Sequence, residues 1–112
     1  MTSKQAQKIY RELMPEVDSK FWRSSHESCF RASTHETDEH IRMKFERWLY
    51  WRRQGASVFT ELILTSGLRP DLVIVTENNI FVEEITQSES DKSIELKKQE
   101  YPWEVTRIKC QK

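Results

Sequence analysis

Between Ser57 and Thr86 the chain carries three short apolar runs, Ser57–Leu64, Asp71–Val75 and Ile80–Thr86, and each contains or begins with a carboxylate. Val, Ile and Phe dominate them, and Gly67 and Asn78-Asn79 separate them, so they read as strands rather than buried helix. A charge beside an apolar core is costly unless something pairs with it. Any fold built on these runs must therefore find partners for Glu61, for Asp71 and for Glu83 or Glu84.

The flanking segments read as helices. Residues 37–54 carry Asp38 and Glu39 in the first turn and Arg52 and Arg53 in the last, with Gly55 just past the end, an order that suits the helix dipole and a glycine C-cap. Ile41, Phe45, Trp48 and Leu49, with Trp51, supply one wide apolar face. Residues 90–101 give a polar helix begun by Ser90 or Asp91, with Ile94, Lys97 or Lys98, and Tyr101 in line, and Pro102 stops it. A last strand, Glu104–Cys110, alternates Val105, Arg107 and Lys109 against Thr106, Ile108 and Cys110. Upstream, Ala6, Ile9, Tyr10, Leu13 and Met14 form the stripe of a short helix stopped by Pro15. Asp18–Asp38 reads as loop or short helix tied down by Phe21, Trp22 and Phe30. The expected fold is α/β in the order αβββαβ, a mixed four-stranded sheet flanked by helices. Residues 1–37 form an N-terminal helix and aromatic arm on a core of residues 38–112, within one domain.

The length of 112 residues fits one core. No apolar run approaches the roughly 18–20 residues that span a bilayer, and Met1–Tyr10 is charged where a signal peptide is apolar. The expectation is a cytoplasmic protein without membrane contact. Net charge is zero, which excludes a strongly basic nucleic-acid binder, but residues 1–57 hold 11 basic and 8 acidic side chains while 58–112 hold 7 and 10. A divalent cation on clustered carboxylates in the second half would make that half tolerant of phosphate. Cys29 and Cys110 are too few for a disulfide framework and are expected as free thiols.

If Asn78-Asn79 forms a two-residue hairpin turn, Val75 faces Val82, Val73 faces Glu84 and Asp71 faces Thr86. Asp71, Val73, Val82, Glu84 and Thr86 then share one face, with Asp71 and Glu84 diagonal neighbours within about 8 Å. A loop of odd length would bring Glu83 to that face instead. Two carboxylates so placed repel, and a hard cation between them removes the conflict.

At these residues the sequence resembles the PD-(D/E)xK nuclease superfamily. Pro70-Asp71 before Leu72–Val75, then Phe81-Val82-Glu83-Glu84-Ile85-Thr86, follow its order, and His40-x-x-x-Lys44, Glu61, Arg69-Pro70-Asp71, Glu84–Ser88 and Lys97-x-x-x-Tyr101 are similar to its CoiA-like subset. The resemblance covers residues 38–109 and implies a restriction-endonuclease-like core. It also implies a divalent-metal-dependent endonuclease acting on DNA in recombination, repair or defence. On this reading Asp71, Glu84 and the Ile85 carbonyl hold Mg²⁺ or Mn²⁺, and Glu61 holds a second ion or orients water. His40, Lys44 and Arg69 contact phosphate. Thr86 stands where the motif lysine falls, so Lys97 or Lys98 is expected to supply that charge. A homodimer would let two such units cut both strands. The alternatives are a catalytically inactive nucleic-acid-binding or assembly protein on the same fold, and an adaptor that binds no nucleic acid.

Two further features stand apart from the resemblance. His26, Cys29, His35 and His40 could ligate zinc, although their spacing matches no standard pattern. Four tryptophans, Trp22, Trp48, Trp51 and Trp103, are many for so short a chain, and core packing is their default, with base stacking or dimer contact as alternatives.

Overall fold

The computed structural model describes residues 1–19, 29–33, 35–87 and 91–110. Phe21, Trp22, His26, Ser88 and Ser90 lie outside the described residues. The first helix, α1, spans Ser3–Lys8 and opens on a reciprocal capping box: the Thr2 hydroxyl accepts from the Gln5 N–H, and the Gln5 side chain accepts from the Thr2 N–H. The chain continues through a wide π turn at Ile9–Leu13 and a 3-10 turn at Met14–Glu16 that contains Pro15. Ile9 and Leu13 are buried, but Tyr10, expected on the same stripe, is 72% exposed. The wider turn changes the angular spacing on which that expectation rested.

Helix α2 spans Asp38–Arg53, with the Thr37 hydroxyl accepting from the His40 N–H as its N-cap. Four strands follow: β1 (Ser57–Thr60), β2 (Leu72–Val75), β3 (Ile80–Thr86) and β4 (Glu104–Lys109). They form one mixed sheet in the order β1-β2-β3-β4. The first three are antiparallel, and β4 runs parallel to β3 after a crossover through α3 (Asp91–Glu100). This is the α/β architecture and element order expected from the sequence.

The first strand is shorter than expected because Glu61 sits at φ 60°, in the left-handed region, and ends the ladder. Leu64 instead bridges to Val17, which ties the N-terminal segment to the sheet. The β2–β3 register also differs from the two-residue hairpin. Val73 pairs with Val82 and Val75 with Ile80, leaving Thr76–Asn79 as a four-residue connection. The Thr76 hydroxyl accepts from the Asn78 and Asn79 N–H groups, so it is drawn into the turn and out of the strand. The shift is two residues, hence face parity survives: Asp71, Val73, Val82, Glu84 and Thr86 remain on one side.

Each sheet face has its own core. Leu72, Ile74, Val58 and Ile85 pack under Trp48 of α2, with Met43, Leu49, Trp51, Phe30 and Phe81 around them. On the opposite face Val73, Val75, Val82, Phe59 and Val105 pack with Tyr101 and with Ile9, Leu13 and Val17. The N-terminal segment is thus part of the second core, and Phe30 alone of the expected arm aromatics is described, edge-on to Phe45 and Trp48. Trp48, Trp51 and Trp103 all belong to these two cores. Among the described residues no helix is long and apolar enough to cross a membrane.

Candidate functional site

Trp48, Leu49 and Trp51 of the apolar row read from the sequence pack on the sheet, but the sheet-facing side of α2 also carries cations. Phe45 is 44% exposed, whereas His40, Lys44 and Arg47 point toward the sheet beside Trp48. The reason lies in the sheet itself, whose carboxylates need cations. Glu83, on the α2 face, is buried and receives both the Nε and Nη2 of Arg47 at 2.9 and 2.7 Å. That fork-to-carboxylate pair consumes Glu83 and leaves Glu84, on the other face, for different partners.

Asp71 and Glu84 meet at the rim where β2 begins. The β2–β3 register, continued by one residue, sets Asp71 opposite Glu84, where each carboxyl shifts the other's ionisation, and the Ile85 N–H donates to Asp71 Oδ2 at 2.8 Å. From the α2 side, His40 Nε2 lies 3.4 Å from the same oxygen. From the other side, the Tyr101 hydroxyl donates to Glu84 Oε1. Burial, then the adjacent Asp71, push the Glu84 carboxyl up to about 8, while the Tyr101 donor and Lys97 pull the other way. Burial also disfavours the Asp71 carboxylate, but the donors His40, Glu84 and Ile85 outweigh it and hold Asp71 below its ordinary range. The Asp71 hydrogen bond raises His40 to about 9 against the opposing effect of burial. Glu84 is therefore a neutral acid near neutral pH, donating to an ionised Asp71, and His40 is an imidazolium.

The network continues through residues that pattern reading placed elsewhere. His40 Nδ1 donates to Glu36 Oε2 at 2.6 Å. Lys44, expected to present its charge to phosphate, is 1% exposed. Its ammonium donates to Glu36 Oε1 at 3.0 Å and to Glu61 Oε1 at 2.6 Å. That placement corrects the expectation, since a lysine closed in by two acids has no face for a phosphate. Glu61, expected as a ligand beside Asp71, is held by Lys44 instead, and its left-handed backbone aims it there. Burial opposes ionisation of Glu36, but the Ser33 N–H and Lys44 together lower its pKa. Glu36 itself was missed. Glu36 lies just before the Thr37 N-cap, where its side chain reaches back to His40 and Lys44 on the first turns of α2; the four-residue spacing of the three was the signal for it.

The structure separates the two candidate lysines of α3. Lys97 is half-buried and acts on Glu84, while Lys98 is exposed and pairs with Glu95 at 3.4 Å. Lys98 is thereby removed from the site. Arg69 is exposed, two residues before Asp71. Of the zinc candidates His26 lies outside the described residues; Cys29 is exposed and in no disulfide, His35 is exposed and His40 is committed to acids. Among the described residues no group of three or more His, Cys, Asp or Glu side chains is arranged to hold a metal. Set against known protein families, curated proteins and solved structures, the chain matches none of them.

Two outcomes follow for stability. Lys44→Met removes the cation between Glu36 and Glu61, leaving Glu36 only His40 and the Ser33 N–H as partners, and urea unfolding is expected to show a loss of about 3 kcal/mol, part of which Glu36→Gln restores in the double variant. A loss within about 0.5 kcal/mol would mean Lys44 is not a buried ion-pair partner. The second outcome concerns pH. Glu84, raised from 4.5 to about 8, contributes stability that is complete below its unfolded value and is lost as pH rises through 8. His40, raised from 6.5 to about 9, contributes stability lost as pH rises through 9. Asp71, lowered, loses its contribution as pH falls below its ordinary 3.8. Glu84→Gln keeps the hydrogen bonds of the neutral acid and cannot ionise. It should match the parent at about pH 5 and exceed it in melting temperature at about pH 9. An equal decline in both proteins would contradict the assignment.

Proposed function

We propose that this protein is a divalent-metal-dependent endonuclease that hydrolyses phosphodiester bonds in DNA on a restriction-endonuclease-like core. The observation that carries the reading is the contact between Asp71 and Glu84 at the sheet rim, with Lys97 acting on Glu84. Two carboxyls in contact form a hard-oxygen donor pair occupied by a proton, and a divalent cation takes such a place when it is available. Among the described residues two carboxylates are gathered, a set that suits Mg²⁺ or Mn²⁺, which retain waters and commonly take one or two carboxylates from the protein.

Asp71, Glu84 and the Ile85 carbonyl would hold the ion. When bound, it supplies an acidified water and charge neutralisation at a phosphoryl oxygen. The chain's own groups do the rest. His40 fixes Asp71 and keeps it ionised, Tyr101 fixes the Glu84 carboxyl, and Lys97 adds positive charge on the Glu84 side. Arg69, on the surface beside Asp71, would contact the DNA backbone. Lys44 and Glu61 act at a distance by holding Glu36, which in turn holds His40. Pairing of two chains would place two such sites on the opposite strands of a duplex.

A second reading, a DNA-binding protein without hydrolysis, is favoured by how fully Asp71 and Glu84 are already satisfied by His40, Ile85 and Tyr101. The two readings separate in one assay. Nicking of plasmid DNA that requires Mn²⁺ or Mg²⁺, and that falls at least about a hundredfold in Asp71→Ala and Glu84→Ala, is the expected result. Salt-dependent binding with no cleavage under any divalent ion would favour the second reading.

A further inference from the structure

Thr86, at the position where the resembled motif has its lysine, touches an arginine of the neighbouring strand. Strands β3 and β4 are parallel, with Glu84 in register with Arg107 and Thr86 with Lys109. Residues in register on adjacent strands stand side by side on one face, so Arg107 rises on the face that carries Glu84 and Thr86. Its side chain leans over β3. Arg107 Nε donates to Thr86 Oγ1 at 3.0 Å, and Nη1 pairs with Asp91 in the first turn of α3. Thr86 is 2% exposed, so its hydroxyl is a fixed anchor. Asp91 is the opposite, with a side chain 93% exposed. An ion pair to so exposed a carboxylate is weak and easily exchanged for a better anion. The Arg107 side chain itself is 19% exposed, which leaves it reachable from solvent.

We propose that Arg107 supplies the positive charge at the scissile phosphate, with Thr86 as its positioning residue and Asp91 as the acid that the phosphate displaces. This rests on the nuclease reading above. The ligand is a phosphodiester of the DNA backbone, whose non-bridging oxygens match the planar fork of a guanidinium better than a lysine's point charge would. A threonine in the motif lysine's place then has its own role. It is short enough to let the guanidinium pass over it, and its hydroxyl fixes the Nε.

The test compares variants in three readouts on the full chain: Mn²⁺-dependent cleavage of a labelled duplex oligonucleotide, anisotropy of the same oligonucleotide in Ca²⁺, and Mn²⁺ uptake by calorimetry. Arg107→Ala is expected to lower kcat about a hundredfold with Mn²⁺ uptake unchanged. Thr86→Lys in the Arg107→Ala background is expected to recover cleavage to within about tenfold of the parent. Asp91→Asn, which removes the competing carboxylate, is expected to tighten oligonucleotide binding about threefold, a gain that a purely structural Arg107–Asp91 pair would not give. Should Arg107→Ala fail to fold, Arg107→Gln keeps a donor for Thr86 without the charge and carries the same expectation. Cleavage by Arg107→Ala or Arg107→Gln within about threefold of the parent, with Asp71→Ala inactive, overturns the role of Arg107 and leaves the nuclease reading standing. A parent chain that neither takes up Mn²⁺ nor cleaves overturns both.

Discussion

Two acids in contact at the rim of a sheet are a conflict that the rest of this molecule is arranged around. Asp71 enters β2 and Glu84 lies on β3, and the antiparallel register puts their carboxyls against each other. Left ionised and unpaired in a half-buried place, they would repel by several kcal/mol. A proton on Glu84 relieves the repulsion, and donors from different elements hold the pair. His40 from α2 and the Ile85 N–H from the β3 backbone stabilise the charge left on Asp71, while the Tyr101 hydroxyl, just past the end of α3, fixes Glu84. His40 has its own support, so the contact propagates outward through Glu36 and Lys44 to Glu61, just past the end of β1.

This accounts for the unusual character of α2. A helix covering an apolar sheet needs an apolar stripe, but one covering a sheet with carboxylates at its rim and under its face needs cations in the same stripe. His40, Lys44 and Arg47 meet Asp71, Glu61 and Glu83, while Trp48 covers the apolar centre. Arg47 is further held over the rings of Tyr50 and Trp51, at 4.8 and 5.8 Å from their centroids. Charge pairing of this kind adds less net stability than an apolar core would, and it fixes register instead, because a slip of one residue would expose every acid to the wrong partner.

Much of this was legible along the chain. The bounds of β3, the capping of α2 and the order of elements follow from local signals: β-branched runs, Thr37 before acidic residues, and Gly55 after basic ones. The choice of Glu84 over Glu83 survived a wrong register because only the parity of the turn mattered, and Thr76 lengthened it by an even count. What escaped needed tertiary partners. Lys44 reads as an exposed helix charge until Glu36 and Glu61 are seen on either side of it. Tyr10 leaves its stripe because of a π turn that no propensity announces. Arg107 reads as one half of an alternating strand, and only the parallel pairing with β3 sets it beside Glu84.

The account stands or falls on where a divalent ion goes. Adding substoichiometric Mn²⁺ while following backbone amide resonances locates it directly, since the paramagnetic ion broadens the nearest signals first. Glu84, Ile85 and Leu72 are expected to broaden before any others, and Asp71→Asn should abolish the effect. Broadening that starts instead at exposed acids such as Glu77 and Glu100, or none at all, would show that the acid pair holds only its proton.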